Sequence, residues 1–177
     1  MDKKALRAQI RQLKRAMTLE QIEEASAKLG ELFRQTEQYQ NAKTIYGYLP
    51  YNQEVRTVPM LEQAIRDGKR VAVPKVYGDD MKFIYMDDLT QVSLGYANIP
   101  EPIADGPVAE DKTALVLMPG MAFTKNGDRM GYGGGFYDKF LASEPEHPTV
   151  ALCYGFQMVE QLPTEEYDIP VDCVLWA

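Results

Sequence analysis

Apolar residues open the chain at helical spacing. Leu6, Ile10, Leu13 and Met17 fall on one stripe, which predicts an amphipathic helix over residues 2–17. Thr18-Leu-Glu-Gln21 reads as a capping box, in which a hydroxyl and a side-chain amide exchange backbone bonds, and starts a second helix to about Gln38. The pattern then shortens into apolar runs bounded by turn residues. Thr44–Pro50, Arg70–Pro74, Met81–Met86, Ala114–Pro119, Thr149–Tyr154 and Val171–Trp176 read as strands. Between them, Val58–Arg66 has helical spacing and ends on Asp67-Gly68, and Gly135–Leu141 opens another helix. Residues 98–112 are rich in proline and acid and read as a surface excursion rather than an element. Strands alternating with helices predict an α/β class with a largely parallel sheet.

Size and charge narrow the picture. The 177 residues suit one domain, 1–177, with a basic helical segment over about 2–38. With 45% hydrophobic residues, the chain can bury a full core. A net charge of -7 argues against nucleic acid as a partner. No apolar run reaches membrane-spanning length, and none follows the basic start Asp2-Lys-Lys, so a cytoplasmic protein with no membrane partner is expected. Cys153 and Cys173 with a lone histidine cannot form a Cys/His zinc site, and both thiols read as buried and reduced. His147, in Glu-Pro-Glu-His-Pro, reads as a surface-loop residue. As the only histidine, it leaves no support for a Ser-His-Asp or Cys-His catalyst.

The candidate chemistry lies after the apolar run that ends at Met118. Pro119-Gly120 is followed by a loop turned at Asn126-Gly127, then by Gly131, Gly133, Gly134 and Gly135 ahead of a helix. Glycines let backbone amides approach a ligand, a helix N-terminus favours an anion, and ligands of open α/β sheets collect at the carboxyl ends of strands. With Arg129 and Lys125 nearby, the segment reads as a phosphate loop. The Gly-Lys-Ser/Thr ending of a Walker loop is absent, and Phe136 stands where a dinucleotide fingerprint needs its last glycine. Asp138, early in the following helix, can serve Mg²⁺ or simply meet the helix dipole; Asp172 is a second carboxylate or a turn residue. Lys3, Arg7 and Arg11 form a stripe joined by Lys4, Lys14 and Arg15, either a solvated face or a set of phosphate-binding cations. Tyr46, Tyr48 and Tyr51 offer flat faces for an aromatic ligand. Glu54 offers an acceptor for ring N–H groups, or a cap for the helix that follows.

Met118-Pro-Gly-Met-Ala-Phe through Gly131-Tyr-Gly-Gly-Gly-Phe-Tyr-Asp138 resembles the signature of the 5-formyltetrahydrofolate cyclo-ligase (methenyltetrahydrofolate synthetase) family. The likeness extends to Lys3–Arg7, Tyr48–Thr57, Val73-Pro-Lys75 and Pro170-Val-Asp-Cys-Val-Leu175. It implies a three-layer α/β/α fold with a mostly parallel sheet, similar to ribose-5-phosphate isomerase and CoA transferases. It also implies ATP- and Mg²⁺-dependent conversion of 5-formyltetrahydrofolate, possibly polyglutamylated, to 5,10-methenyltetrahydrofolate. The expected route runs through a phosphorylated formyl (imidate phosphate) intermediate and releases ADP and phosphate. ATP is expected to be lined by Lys3, Lys4, Ala5, Leu6 and Arg7, and by Arg129, Met130, Gly131, Tyr132, Gly133, Gly134, Gly135, Phe136 and Tyr137. The folate side is expected to meet Arg7, Leu49, Glu54 and Tyr132 through Phe136. Arg129, Tyr132 and Gly134 carry the catalytic expectation, Asp138 and Asp172 the Mg²⁺, and a monomer is expected. Some members carry basic residues within the glycine run; this chain has Tyr132-Gly-Gly-Gly-Phe136, so backbone amides, Arg129, Lys125 or Lys139 would have to meet phosphate instead.

Two other classes share these features. One is a binding protein that holds folate or nucleotide without turnover. The other is a sugar-phosphate isomerase or CoA-transferase relative, whose nucleophile could only be Glu54. A fold by itself decides neither.

Overall fold

The computed structural model describes residues 2–177. Helix α1 spans Lys3–Arg15; the Asp2 carboxylate caps it by accepting from the Ala5 amide at 2.7 Å. Helix α2 (Leu19–Arg34) starts with the complete Thr18/Gln21 capping box. The expected single helix to Gln38 stops at Arg34. Thr36, as a fresh N-cap, accepts from the Tyr39 amide and starts the short α3 (Glu37–Asn41). Strand β1 is only Thr44–Tyr46, shorter than expected, because the chain leaves the sheet at Gly47 to form the Tyr48–Glu54 loop. Helix α4 covers Val58–Arg66 and ends as expected, with Gly68 at φ 86°.

Strands β2 (Arg70–Tyr77) and β3 (Asp80–Tyr85) form an antiparallel hairpin, β2 running three residues beyond its predicted end. The 98–112 excursion is not wholly irregular: β4 (Val92–Leu94) pairs with β5 (Pro100–Pro102) as a two-stranded ribbon. The proline-rich composition hid β5, which survives because it is a strand of a two-stranded ribbon rather than of the main sheet. Next come β6 (Leu115–Met118), the small hairpin β7 (Ala122–Phe123) and β8 (Arg129–Met130), α5 (Phe136–Ser143), β9 (Thr149–Cys153) and β10 (Cys173–Trp176).

The main sheet has the order β10-β9-β6-β1-β2-β3, parallel throughout except for β3. Its central strands are buried on both faces, so their apolar residues sort by twos. Ile45, Leu115, Leu117, Val150 and Leu152 face the layer of α2, α3 and α4 with Leu29, Phe33 and Leu61. Tyr46, Val116, Met118, Ala151 and Cys153 face α5 with Leu141. This is the expected three-layer α/β/α arrangement. Helix α1 stands apart from both layers: Ile10 is 1% exposed and packs on Met121, Ala122 and Met130 of the β7–β8 hairpin.

Leu117, fully buried in the central strand β6, tests this arrangement. Leu117→Ala should cost about 2–5 kcal/mol by lost burial and a cavity, read as a lower denaturation midpoint at unchanged m-value.

Candidate active site

The carboxyl ends of β1, β6 and β9 deliver three segments to one place. From β6, Pro119-Gly120-Met121 is held by buried Gln157, whose Nε2 donates to the Gly120 and Met121 carbonyls at 3.0 and 3.1 Å. From β1, the Tyr48–Glu54 loop is tied to the end of β9 by the Tyr154 hydroxyl, which donates to the Gln53 carbonyl at 2.6 Å. The β7–β8 hairpin then turns the chain so that the glycine run leaves β8 beneath α1. Arg7 Nε donates to the Gly131 carbonyl at 3.1 Å, joining residues 124 apart in sequence.

Arg129 lies at the centre, its side chain 6% exposed. One terminal nitrogen donates to the Pro119 carbonyl at 2.8 Å, and the other pairs with Asp138 Oδ1 at 3.4 Å. Its Nε is buried and has no partner among the described residues; the same is true of the Tyr137 hydroxyl. Two orphaned buried donors in one site are costly unless a ligand completes them. Gly133 and Gly135 have φ of 112° and 71°, and Gly135 starts α5 with no side-chain cap, so the first amides of α5 remain available to an anion.

Across the loop, Tyr132 reaches inward. The residue is 44% exposed, but its hydroxyl donates to Glu54 Oε2 at 2.7 Å and accepts from Lys14 Nζ at 3.3 Å. Glu54 Oε1 accepts from the Tyr51 amide at 2.7 Å. Although Glu54 keeps some residue surface in solvent, its carboxyl group is desolvated. That desolvation raises its pKa against the lowering effects of the Tyr132 hydroxyl and Lys14. Desolvation likewise lowers the pKa of Lys14, a residue only 7% exposed.

The structure therefore brings Lys3–Arg7, Arg129–Asp138, Leu49 and Glu54 around one end of the sheet. It leaves other expected residues elsewhere. Asp172 precedes β10, and its Oδ2 accepts from the Thr149 amide at the amino end of β9, while the Asp172 amide donates to Thr149 Oγ1. In a parallel sheet that is the end opposite the glycine run, and the turn-residue reading describes this bonding. Among the described residues, no cluster of three or more His, Cys, Asp or Glu side chains could hold a metal. Lys125 sits in the Thr124–Asp128 turn at the far end of the hairpin, where Gly127 packs on Val171, and Lys139 Nζ donates to the Asp79 carbonyl. Neither cation replaces the missing basic residues of the loop.

Tyr46 is not a ligand platform either. It is 1% exposed, stacks on Phe83 at 4.5 Å, and its hydroxyl accepts from the Asp111 amide. His147 is in a loop but not at the surface: it is 5% exposed, Nδ1 lies 2.7 Å from the Ala114 carbonyl, and Nε2 lies 3.0 Å from Glu144. Neighbouring Phe140 and Tyr46 rings bury it. Cys153 is buried as expected, its thiol pushed up to about 12 by desolvation, whereas Cys173 is only half-buried. Lys14, grouped by the sequence with the other cations of α1, is the residue whose role the sequence did not show: it is buried and bonded to Tyr132. Its signal was its place beside the apolar stripe, four residues after Ile10 and seven after Arg7.

A family model for 5-formyltetrahydrofolate cyclo-ligases matches residues 1–177. The chain belongs to the 5-formyltetrahydrofolate cyclo-ligase family. It is 31% identical to the 5-formyltetrahydrofolate cyclo-ligase of Escherichia coli strain K12, over 94% of this chain and 95% of that one. It is 30% identical to the mouse enzyme of the same name, over 98% of this chain and 93% of that one. Among solved structures, the 5,10-methenyltetrahydrofolate synthetase of Aquifex aeolicus superposes with a TM-score of 0.85 at 26% identity, covering 99% of this chain and 90% of that one. The Mycoplasma pneumoniae synthetase gives 0.78 at 26% identity, with 98% of both chains covered. The chain is thus a cyclo-ligase enzyme acting on 5-formyltetrahydrofolate, and ATP use follows from that family. No helix among the described residues is long and apolar enough to cross a membrane.

Two outcomes follow from the cyclo-ligase site. Tyr137→Phe removes an unpaired buried hydroxyl, so it should leave the melting temperature equal or higher while weakening ATP binding; calorimetric titration with a non-hydrolysable ATP analogue reads the second effect. Glu54 has a raised folded-state pKa, so the native protein holds a proton that the unfolded chain releases. Its contribution to stability therefore falls as pH rises from the ordinary carboxylate range through the raised value. Glu54→Gln should flatten that decline in melts measured across the acidic range.

Proposed function

We propose that the site converts 5-formyltetrahydrofolate to 5,10-methenyltetrahydrofolate by passing the γ-phosphoryl group of ATP to the formyl oxygen. The observation that carries this reading is the convergence of α1 on the glycine run, with Arg129 Nε and the Tyr137 hydroxyl left unpartnered beneath it. The formyl oxygen attacks the γ-phosphate, ADP leaves, and an imidate phosphate forms. N10 then closes the ring on the activated carbon and phosphate departs. An amide-like oxygen is a weak nucleophile, so the protein contributes alignment and charge neutralisation rather than a covalent step.

Lys3, Lys4 and Arg7 of α1, with Ala5 and Leu6 between them, line the nucleotide with Arg129–Tyr137. Arg7 spends Nε on the Gly131 carbonyl and directs its terminal nitrogens to phosphate. Arg129 Nε and the exposed amides of Gly133, Gly134 and Gly135 take oxygens of the transferring group. Leu49, Arg7, Glu54 and Tyr132–Phe136 hold the folate. Each oxygen of Glu54 has one protein donor and retains a further acceptor position for a ring N–H.

For Mg²⁺, Asp138 fits. Its carboxylate sits beside Arg129, its side chain is 31% exposed, and phosphate oxygens can complete the shell. Asp172 does not fit at the same point, its carboxylate being committed at the other end of the sheet. When bound, the ion would neutralise phosphate charge. A monomer in the cytoplasm, acting on free or polyglutamylated folate, completes the proposal.

Incubation with 5-formyltetrahydrofolate, ATP and Mg²⁺ should produce the methenyl chromophore together with ADP. Folate bound without ADP release would favour a binding protein, and a hydroxylamine-trapped acyl group on Glu54 would favour the transferase reading. Gly134→Asp should lower kcat at least 100-fold by placing a carboxylate against the phosphates, in a protein that still melts cooperatively. A folded, fully active variant would remove the loop from the site.

A further inference from the structure

Lys14 is used by no step above, and its burial needs an explanation. A lysine 7% exposed loses hydration, and removing hydration from an ammonium opposes folding unless a counter-charge and hydrogen bonds offset it. Its offset is indirect. Nζ donates to the Tyr132 hydroxyl at 3.3 Å, and that hydroxyl donates onward to Glu54 Oε2 at 2.7 Å. The attraction of Glu54 is the largest influence favouring the charged ammonium, followed by the Cys153 thiol. A buried charge with a specific partner, at the mouth of a ligand site, is a candidate for a role in that site.

The direction of the relay also matters. An ammonium can only donate, a hydroxyl that accepts from it has its proton free for another partner, and a carboxylate can only accept. Lys14 therefore fixes which way the Tyr132 hydroxyl points. Tyr132 in turn stands between Gly131 and Gly133, where the backbone has the most freedom to move its ring.

We propose that Lys14 is a positioning residue for the folate side of the reaction, holding Glu54 ionised and aimed at the pteridine N–H groups through the hydroxyl of Tyr132. This rests on the assignment of Glu54 to the folate proposed above. Lys14 touches neither reacting centre. It keeps the carboxylate a full acceptor in a desolvated position through the Tyr132 hydroxyl. Loss of Lys14 should therefore weaken folate selectively, because the nucleotide is held by Lys3–Arg7 and Arg129.

The test is steady-state kinetics and calorimetric binding of 5-formyltetrahydrofolate on four full-length proteins: parent, Lys14→Met, Glu54→Gln and the double variant. The parent comes first: absence of folate binding or turnover there overturns the functional reading itself. Given an active parent, Lys14→Met should raise the folate KM at least 10-fold, leave the ATP KM within twofold, and melt no lower than the parent. Lys14→Arg should recover part of the loss. In the Glu54→Gln background, where no charge remains to be held, Lys14→Met should change folate affinity less than twofold. A parental folate KM in Lys14→Met, equal losses for ATP and folate, or multiplicative losses in the double variant would each overturn the inference. If Lys14→Met fails to fold, the double variant compared with Glu54→Gln still gives the deciding ratio.

Discussion

The site exists because Ile10 is seated between Met121, Ala122 and Met130. That contact is the main apolar hold on a helix lying outside both layers of the sandwich, and burying one such side chain contributes about 1.5–3 kcal/mol. Everything cationic on α1 inherits its place from it. Arg7 lies one turn before Ile10 and meets Gly131; Lys14 lies one turn after and meets Tyr132. Without that seat, the polar face of α1 would be an ordinary solvated stripe, and the glycine run would have no cation above it.

Charge in the site is organised by depth. Arg129 is fixed below the loop by the Pro119 carbonyl and Asp138, so its position does not depend on ligand. Lys3, Lys4 and Arg7 are exposed or half-buried and can follow a nucleotide as it arrives. Between these layers lies the glycine run, whose amides add donors without side chains in the way. A phosphoryl transfer that needs alignment and electrostatic stabilisation rather than a protein nucleophile is served by such a division. The carboxylate of Glu54 meets the loop from the β1 side, accepting from the Tyr132 hydroxyl.

Much of the layered fold was legible because both faces of the central strands are buried. Apolar runs such as Leu115–Met118 admit little besides a core strand, and the capping box at Thr18 marks the start of α2 without tertiary help. Tertiary contacts decided the rest. The β7–β8 hairpin is two residues a side and carries no periodicity of its own. β5 is hidden by its prolines, and His147 looked exposed because its burial comes from Phe140 and Tyr46, distant or unpatterned neighbours. In the site, the glycine run and Arg129 announced themselves by composition. Lys14 was legible only as one of the six cations of α1, a solvated face or a phosphate contact, until the fold brings Tyr132 and Glu54 to it.

The central claim is that α1 and the glycine run bind the nucleotide as one unit. Hydrogen exchange of the backbone amides, with and without saturating ADP and Mg²⁺, tests it most directly. The account predicts that amides of Lys3–Arg15 and of 129–137 gain protection together and by similar factors. Protection confined to the loop, with α1 exchanging as it does in the free protein, would contradict it.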